Sequence, residues 1–262
     1  AYLKILQARN MKGIDKNMPL WKLKLTEEEY ESLKKTLVEN YFDLDEYGIE
    51  AALCYAEWWR RDYHGNIPSK ESVAMGIGLE IDKSEDLYVA ARKALKTHGY
   101  SFIHTNHGTQ YFRTLLNQGG LPVNYIKRSE NLGSFTLFLK GLVSELSSIN
   151  FDWNSEDFSV VNQLNCISYL GKTFKNENIY DVAMQIARAI VMGDNSLLPY
   201  DDTDSSLTAL TQALKKEYSR AKHDHRTRPF SLHWKLSTFN DGIGALYVNM
   251  DIVKDISSLS IP

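Results

Sequence analysis

The residues best placed to do chemistry in this chain stand together at the end of one apolar run, Ala56-Glu57-Trp58-Trp59-Arg60-Arg61-Asp62-Tyr63. On a helix Glu57 faces Arg60 at i+3 and Arg61 at i+4, the spacings at which side chains meet. Two guanidiniums can offer planar, bidentate donors to an anion, and an indole beside them a stacking surface. Trp58, Trp59, Arg60 and Arg61 are therefore candidate binding residues for an anion or a partner. The same octet also suits a core-closing helix end, with packed tryptophans and charges that tie down a neighbouring loop. That architectural use is the expected one.

Other patterns carry less. His104 and His107 stand three apart, with His98 upstream, but zinc needs three or four convergent ligands and the chain has no Cys-x-x-Cys. Gly171-Lys172-Thr173 resembles part of a phosphate-binding loop, yet the first glycine of that motif falls on Cys166. Gly76 and Gly78 fail the dinucleotide pattern because position 81 is Ile81. No acidic residue is followed two positions later by lysine, so the usual half of a restriction-type metal site is missing. His233-Trp234-Lys235 approaches a His-x-Lys-x4-Asp signature, but Asn240 holds the aspartate's place. Asp201, Asp202 and Asp204 could chelate a cation, although carboxylates before a helix more often complement its positive end. No Gly-x-Ser-x-Gly supports a serine hydrolase. No catalytic residue, metal ligand or cofactor is expected.

The elements that must position the octet read mostly as helices. Thr26-Glu27-Glu28-Glu29 fits a capping box, followed by Tyr30, Leu33 and Leu37 at helical spacing. A helix over about 49–63 holds the octet. Ser69 and Ser84 suggest further N-caps, the second leading to a Gly99 stop. Tyr100 to His104 suggests a short strand, and Tyr111 to Asn117 a helix ended by Gly119-Gly120 and Pro122. Further helices are expected over about 133–147, 157–170 and 177–192, with Asn176 as cap, and from Asp204 to about Arg220. Alternation then sets in at Phe230, Leu232, Trp234 and Leu236, with Asn240-Asp241-Gly242 as a turn. The expected class is mainly α: a multi-helix N-terminal region followed by a C-terminal antiparallel β-hairpin that belongs to a larger β module (α+β). The expected divisions are a helical domain over 1–221, a linker or excised loop over 222–228, and the hairpin over 229–262. Within the first, 69–118 would form a winged-helix-like subregion.

Composition narrows the class of function. Charged residues make up 24 % and hydrophobic residues 43 % of 262, ordinary for a globular protein. The net charge is −3, and the acidic excess lies wholly in 151–222. Sequence-independent nucleic-acid binding needs clustered cations, which this balance does not supply by default. No run approaches the ~18 apolar residues of a membrane span, and the first residues lack a signal-peptide core. A start at Ala1, with no initiator methionine, suggests an excerpt of a longer chain. Cys54 and Cys166 in apolar contexts suit a reducing cytoplasm.

Several segments occur together in a pattern that resembles a known family: Leu6-Gln7-Ala8-Arg9-Asn10-Met11-Lys12-Gly13, Thr26-Glu27-Glu28-Glu29-Tyr30, the tryptophan–arginine octet, and Tyr111-Phe112-Arg113-Thr114-Leu115 with Gly119-Gly120-Leu121-Pro122. The chain resembles, over most of 1–220, the N-terminal part of large bacterial proteins encoded in defence islands beside a helicase, with Druantia-type anti-phage systems as the context. His64-Gly65-Asn66 departs from the Gly-Gly pattern after the Trp-Trp helix. The shared segments are not catalytic motifs, so no catalytic residue carries over. The resemblance implies a scaffold or recognition component of anti-phage defence, with a helicase or other defence protein as partner. Two alternatives belong to other classes. One is a metal-dependent nuclease or phosphodiesterase using His104, His107 or His233. The other is a direct DNA-binding module that turns Lys83, Arg92, Lys93 and Lys96 towards phosphates.

Overall fold

The computed structural model describes residues 1–100, 103–105, 108–155, 158–199, 205–227, 230–238 and 244–252, with side chains left undescribed over 101–110, 129–130, 205–207 and from 221 onward. The described chain is mainly helical. In order, α1 (Tyr2–Ala8), α2 (Glu27–Glu39), α3 (Gly48–Arg61), α4 (Lys70–Ile77) and α5 (Ser84–Thr97) precede two short strands, β1 (Ile103–Thr105) and β2 (Gly108–Gln110). Then come α6 (Tyr111–Asn117), α7 (Val123–Ile126), α8 (Ser129–Ser148), α9 (Glu177–Met192) and α10 (Ser205–Thr227).

α3 is the centre of the N-terminal packing. Every residue from Ala51 to Arg60 is buried, and α2, α4, α5 and α6 all pack on it. A helix apolar on every side can only be satisfied this way. Small residues let the neighbours close in: a Cβ on Gly48 would lie 2.8 Å from the Ala90 carbonyl oxygen of α5. α2 starts as its sequence requires, with Glu29 N–H donating to Thr26 Oγ1 and Thr26 N–H to Glu29 Oε2. Ser69 caps α4 in the same reciprocal way with Ser72. Ser84 does not act as a cap. It lies inside α5, preceded by the 3-10 turn Ile81–Lys83, and Lys83 takes the N-cap position without a side-chain bond.

α8 and α9 pack together, with the Phe138 and Tyr180 rings in contact, and each buries an apolar face: Phe135, Phe138, Leu139, Leu142 and Leu146 in α8, and Ile179, Val182, Ala183, Ile186 and Ile190 in α9. Asn176 caps α9 through Ile179 N–H, and Gly193 ends it at φ 75°. The helix expected over 157–170 is corrected. Residues 156 and 157 lie outside the described residues, and the rest forms two 3-10 helices, Ser159–Gln163 and Asn165–Tyr169, broken at extended Leu164. Glu145 of α8 accepts the Asn165 and Cys166 N–H groups at 2.8 Å each, fixing the start of the second turn from outside.

The chain divides into two compact units, Ala1–Leu210 and Thr211–Pro262. In the second, α10 continues to Thr227, over most of the tract read as a linker. Beyond it the backbone is assigned two extended stretches, β3 (Phe230–Thr238) and β4 (Gly244–Ile252), paired antiparallel with Phe230 opposite Ile252. The expectation of a hairpin opening a β-rich domain is not supported by this pairing. Its turn and tail lie outside the described residues, and a two-stranded ribbon alone is marginal in water.

Candidate functional site: the arginine corner

The corner at the end of α3 is built around a turn that cannot satisfy itself. The 3-10 helix Leu20–Leu23 ends at Lys24, held left-handed at φ 49°. Such an end leaves carbonyls without intrahelical donors. Three guanidiniums supply the missing donors. Arg9 Nε donates to Leu23 O at 2.6 Å and its Nη2 to Lys24 O at 3.2 Å. Arg60 Nη2 and Arg61 Nη2 both donate to Leu25 O, at 2.9 and 2.6 Å.

Carboxylates hold the guanidiniums in turn. Glu57, 2 % exposed, accepts at one oxygen from Arg60 Nε (3.0 Å), Arg60 Nη2 (2.6 Å) and Arg61 Nε (2.7 Å). Arg61 also reaches Glu27, and its carbonyl accepts from the Asn124 amide. Glu29 takes both terminal nitrogens of Arg9 at 2.6 Å, a bidentate pair, while also closing the α2 capping box. Burial pushes the Glu29 carboxyl upward, but the hydrogen bonds from Arg9 and Thr26 and the Arg9 charge outweigh it, so its pKa is lowered. Charge-assisted, bidentate contacts of this kind are the strong class of hydrogen bond.

The tryptophans face other parts of the fold. Trp59 Nε1 donates to Gly120 O at 2.9 Å, and its ring stacks on Tyr63 with centroids 4.4 Å apart. Tyr63 meets Tyr125 edge-on, and Tyr125 stacks on Phe174. Trp58 fills the space above Gly76, where a Cβ would lie 2.4 Å from its indole nitrogen. The Gly119–Gly120 turn closes against the middle of α3: a Cβ on Gly119 would stand 2.0 Å from Ala56 O. The octet and the glycine turn, about sixty residues apart in sequence, are thus one packed unit.

Next to it Tyr30 OH donates to Asp62 at 2.8 Å. Burial raises both pKa values, Asp62 despite the opposing Tyr30 bond and the Lys34 charge. The thiols are buried as well; burial pushes Cys54 well up and Cys166 to about 12, so neither is a ready thiolate.

The basic residues of the DNA-binding alternative make local contacts away from this corner. Arg92 lies over the Tyr88 and Tyr111 rings at 5.7 and 5.2 Å, Lys93 pairs with Asp45 at 3.3 Å, and Lys96 is exposed in the last turn. Lys83 sits over Tyr41 and pairs with Asp86. His98 ends α5, its N–H bonded to Ala94 O. The side chains of His104, His107 and His233, and Asp201, Asp202 and Asp204, lie outside the described residues. Among the described residues no three His, Cys, Asp or Glu side chains are grouped to hold a metal ion, and no helix is long and apolar enough to cross a membrane.

Sequence reasoning found the Glu57–Arg60–Arg61 pairing but missed Arg9 and the Leu23–Leu25 carbonyls. The only sequence signal for Arg9 is its place in the first shared segment. No curated protein and no solved structure is matched by the chain. Residues 2–121 match the model of the YjiT N-terminal domain, so the part of the chain similar to that family runs from α1 through the Gly119–Gly120 turn that closes on α3.

Proposed function

We propose that the chain is a non-catalytic scaffold or recognition component of a bacterial anti-phage defence system, working beside a helicase or nuclease partner that does the chemistry. The observation that supports this reading is where the charges of the corner go. A site built to seize an external anion keeps donors open, whereas Arg60 and Arg61 hold the Leu25 carbonyl, Glu57 and Glu27 of their own chain. The corner therefore stiffens a platform. The defence context rests on the resemblance carried by the opening segment, the octet and the glycine–proline turn. Direct DNA reading by α5 draws less support, because Arg92 and Lys93 are engaged by aromatic rings and Asp45.

The test uses the full-length protein expressed with its neighbouring genes. Deleting residues 1–121 should abolish phage protection and co-purification of the helicase, while the helicase keeps its ATPase activity. Protection that survives the deletion overturns the proposal. So does DNA cleavage by the purified chain with magnesium, manganese or zinc that disappears on His104→Ala.

A further inference from the structure

A second feature of the N-terminal unit is a pocket of about 310 Å³ between the 3-10 helix Leu20–Leu23, α9 and the turn Asn195–Leu197. Trp21, Lys22, Lys24, Gln185, Arg188 and Ser196 line it. Two of these lining residues carry an orphaned donor. Trp21 is 2 % exposed, and its indole Nε1–H has no hydrogen-bond partner; the Nε–H of Arg188 is buried and likewise unpartnered. Buried polar groups are almost always satisfied, so two orphan N–H donors on residues that line one pocket call for an explanation.

Charge points the same way. Lys22, Lys24 and Arg188 put three cations around the pocket. Lys24 Nζ donates to Leu198 O at 3.0 Å, and Lys22 lies near the Asp181 carboxylate, whose pKa it draws down against a larger upward push from burial. Arg188 has no ion pair among the described residues. Trp21 is held in place by its own backbone N–H on Gln118 O at 2.9 Å and by the close packing of its ring on Gly120. The Trp21 indole is thus fixed by the surrounding fold.

We propose that this pocket binds a small phosphate-bearing molecule, with phosphoryl oxygens accepting from Arg188, Lys22 and the Trp21 indole. Donors without acceptors call for an acceptor-only group. A phosphoryl group supplies several oxygens with about two negative charges, and an arginine fork matches its geometry. The volume lies at the lower end of the ~300–1,000 Å³ range of small-molecule sites, which fits a metabolite rather than a polymer. Gln185 and Ser196 are placed to meet the uncharged part of the ligand. This site stands whether or not the chain serves as a scaffold.

The test is titration of the intact chain with inorganic pyrophosphate at constant ionic strength, followed through the indole N–H resonances. Trp21 is one of five tryptophans and is assigned with Trp21→Phe. Its resonance should shift and saturate, and Arg188→Gln should weaken binding by about tenfold or more, as expected for loss of a charge-assisted donor. Lys22 is exposed, so Lys22→Gln leaves the fold intact and should weaken binding severalfold even if Arg188→Gln does not fold. The proposal fails if potassium chloride reproduces the shift, if Lys22→Gln binds like wild type, or if no resonance moves. It also fails if a DNA oligonucleotide shifts Trp21 while pyrophosphate does not.

Discussion

Gly119→Ala should be among the most damaging single-methyl additions in this chain. The added Cβ would lie 2.0 Å from Ala56 O and 2.8 Å from its carbonyl carbon. Non-bonded carbons settle ~3.5–4.0 Å apart, so α3 and the glycine turn would have to separate by roughly an ångström. The obstacle is backbone in the middle of a fully buried helix, with no flexible side chain to swing away. Overpacking costs ~1–3 kcal/mol and sometimes more. The same displacement stretches the Trp59–Gly120 hydrogen bond, a further ~0.5–1.5 kcal/mol. Alanine lowers the entropy of the unfolded chain and returns only ~0.4–1 kcal/mol. The central values net to a loss of about 2 kcal/mol, within a range of about 0.5–4, and at ~2–4 °C per kcal/mol for a chain of this size the melting point should fall by roughly 5–10 °C. Thermal and urea unfolding followed by circular dichroism and tryptophan fluorescence measures it. Gly133→Ala is the control: it lies inside α8 with nothing within 4 Å of a Cβ, and should stabilise by ~0.5–1 kcal/mol. A Gly119→Ala protein that melts with wild type, or a Gly133→Ala protein that loses as much, refutes the packing argument.

Arg60→Ala should destabilise by ~1–3 kcal/mol in urea titrations, because buried Glu57 loses two of its three arginine hydrogen bonds and Leu25 O one of its two, while Arg61 still donates to both. Arg60→Lys should recover only a minor part, since one ammonium cannot reach both in a fork. The lowered pKa of Glu29 gives stability that is present above about 4.5 and lost as pH falls through its folded value. Glu29→Gln should flatten that part of an acid-unfolding curve, and an unchanged curve would count against it. Asp62 has the opposite sign: its raised pKa favours the fold at low pH, and that advantage fades as pH climbs above 3.8 through the folded value. Asp62→Asn should remove this slope in the same titration. Ser69→Ala should cost ~1 kcal/mol through loss of the α4 cap, whereas Ser84→Ala removes no cap and should show no such loss in the same melts.

What the sequence determined by itself was local. The Thr26–Glu29 capping box, the span Tyr111–Asn117 and the Asn176 and Gly193 boundaries of α9 depend on residues within one or two turns of each other, so their signals are written side by side. The Glu57–Arg60–Arg61 cluster was legible for the same reason, being an i, i+3, i+4 pattern. Tertiary structure decided the rest. Residues 158–170 hold apolar side chains that could serve a helix, but Glu145 from α8 captures the Asn165 and Cys166 N–H groups and Leu164 is extended. Arg9 and the octet's arginines reach neighbouring carbonyls of Leu23–Leu25 only because the tertiary fold brings α1 and α3 to the same turn. The glycines at 119 and 120 gain their meaning from Ala56 and Trp59 across the core. Periodicity records which face of an element is apolar, and carries no record of which distant backbone group will need a donor once that face is buried.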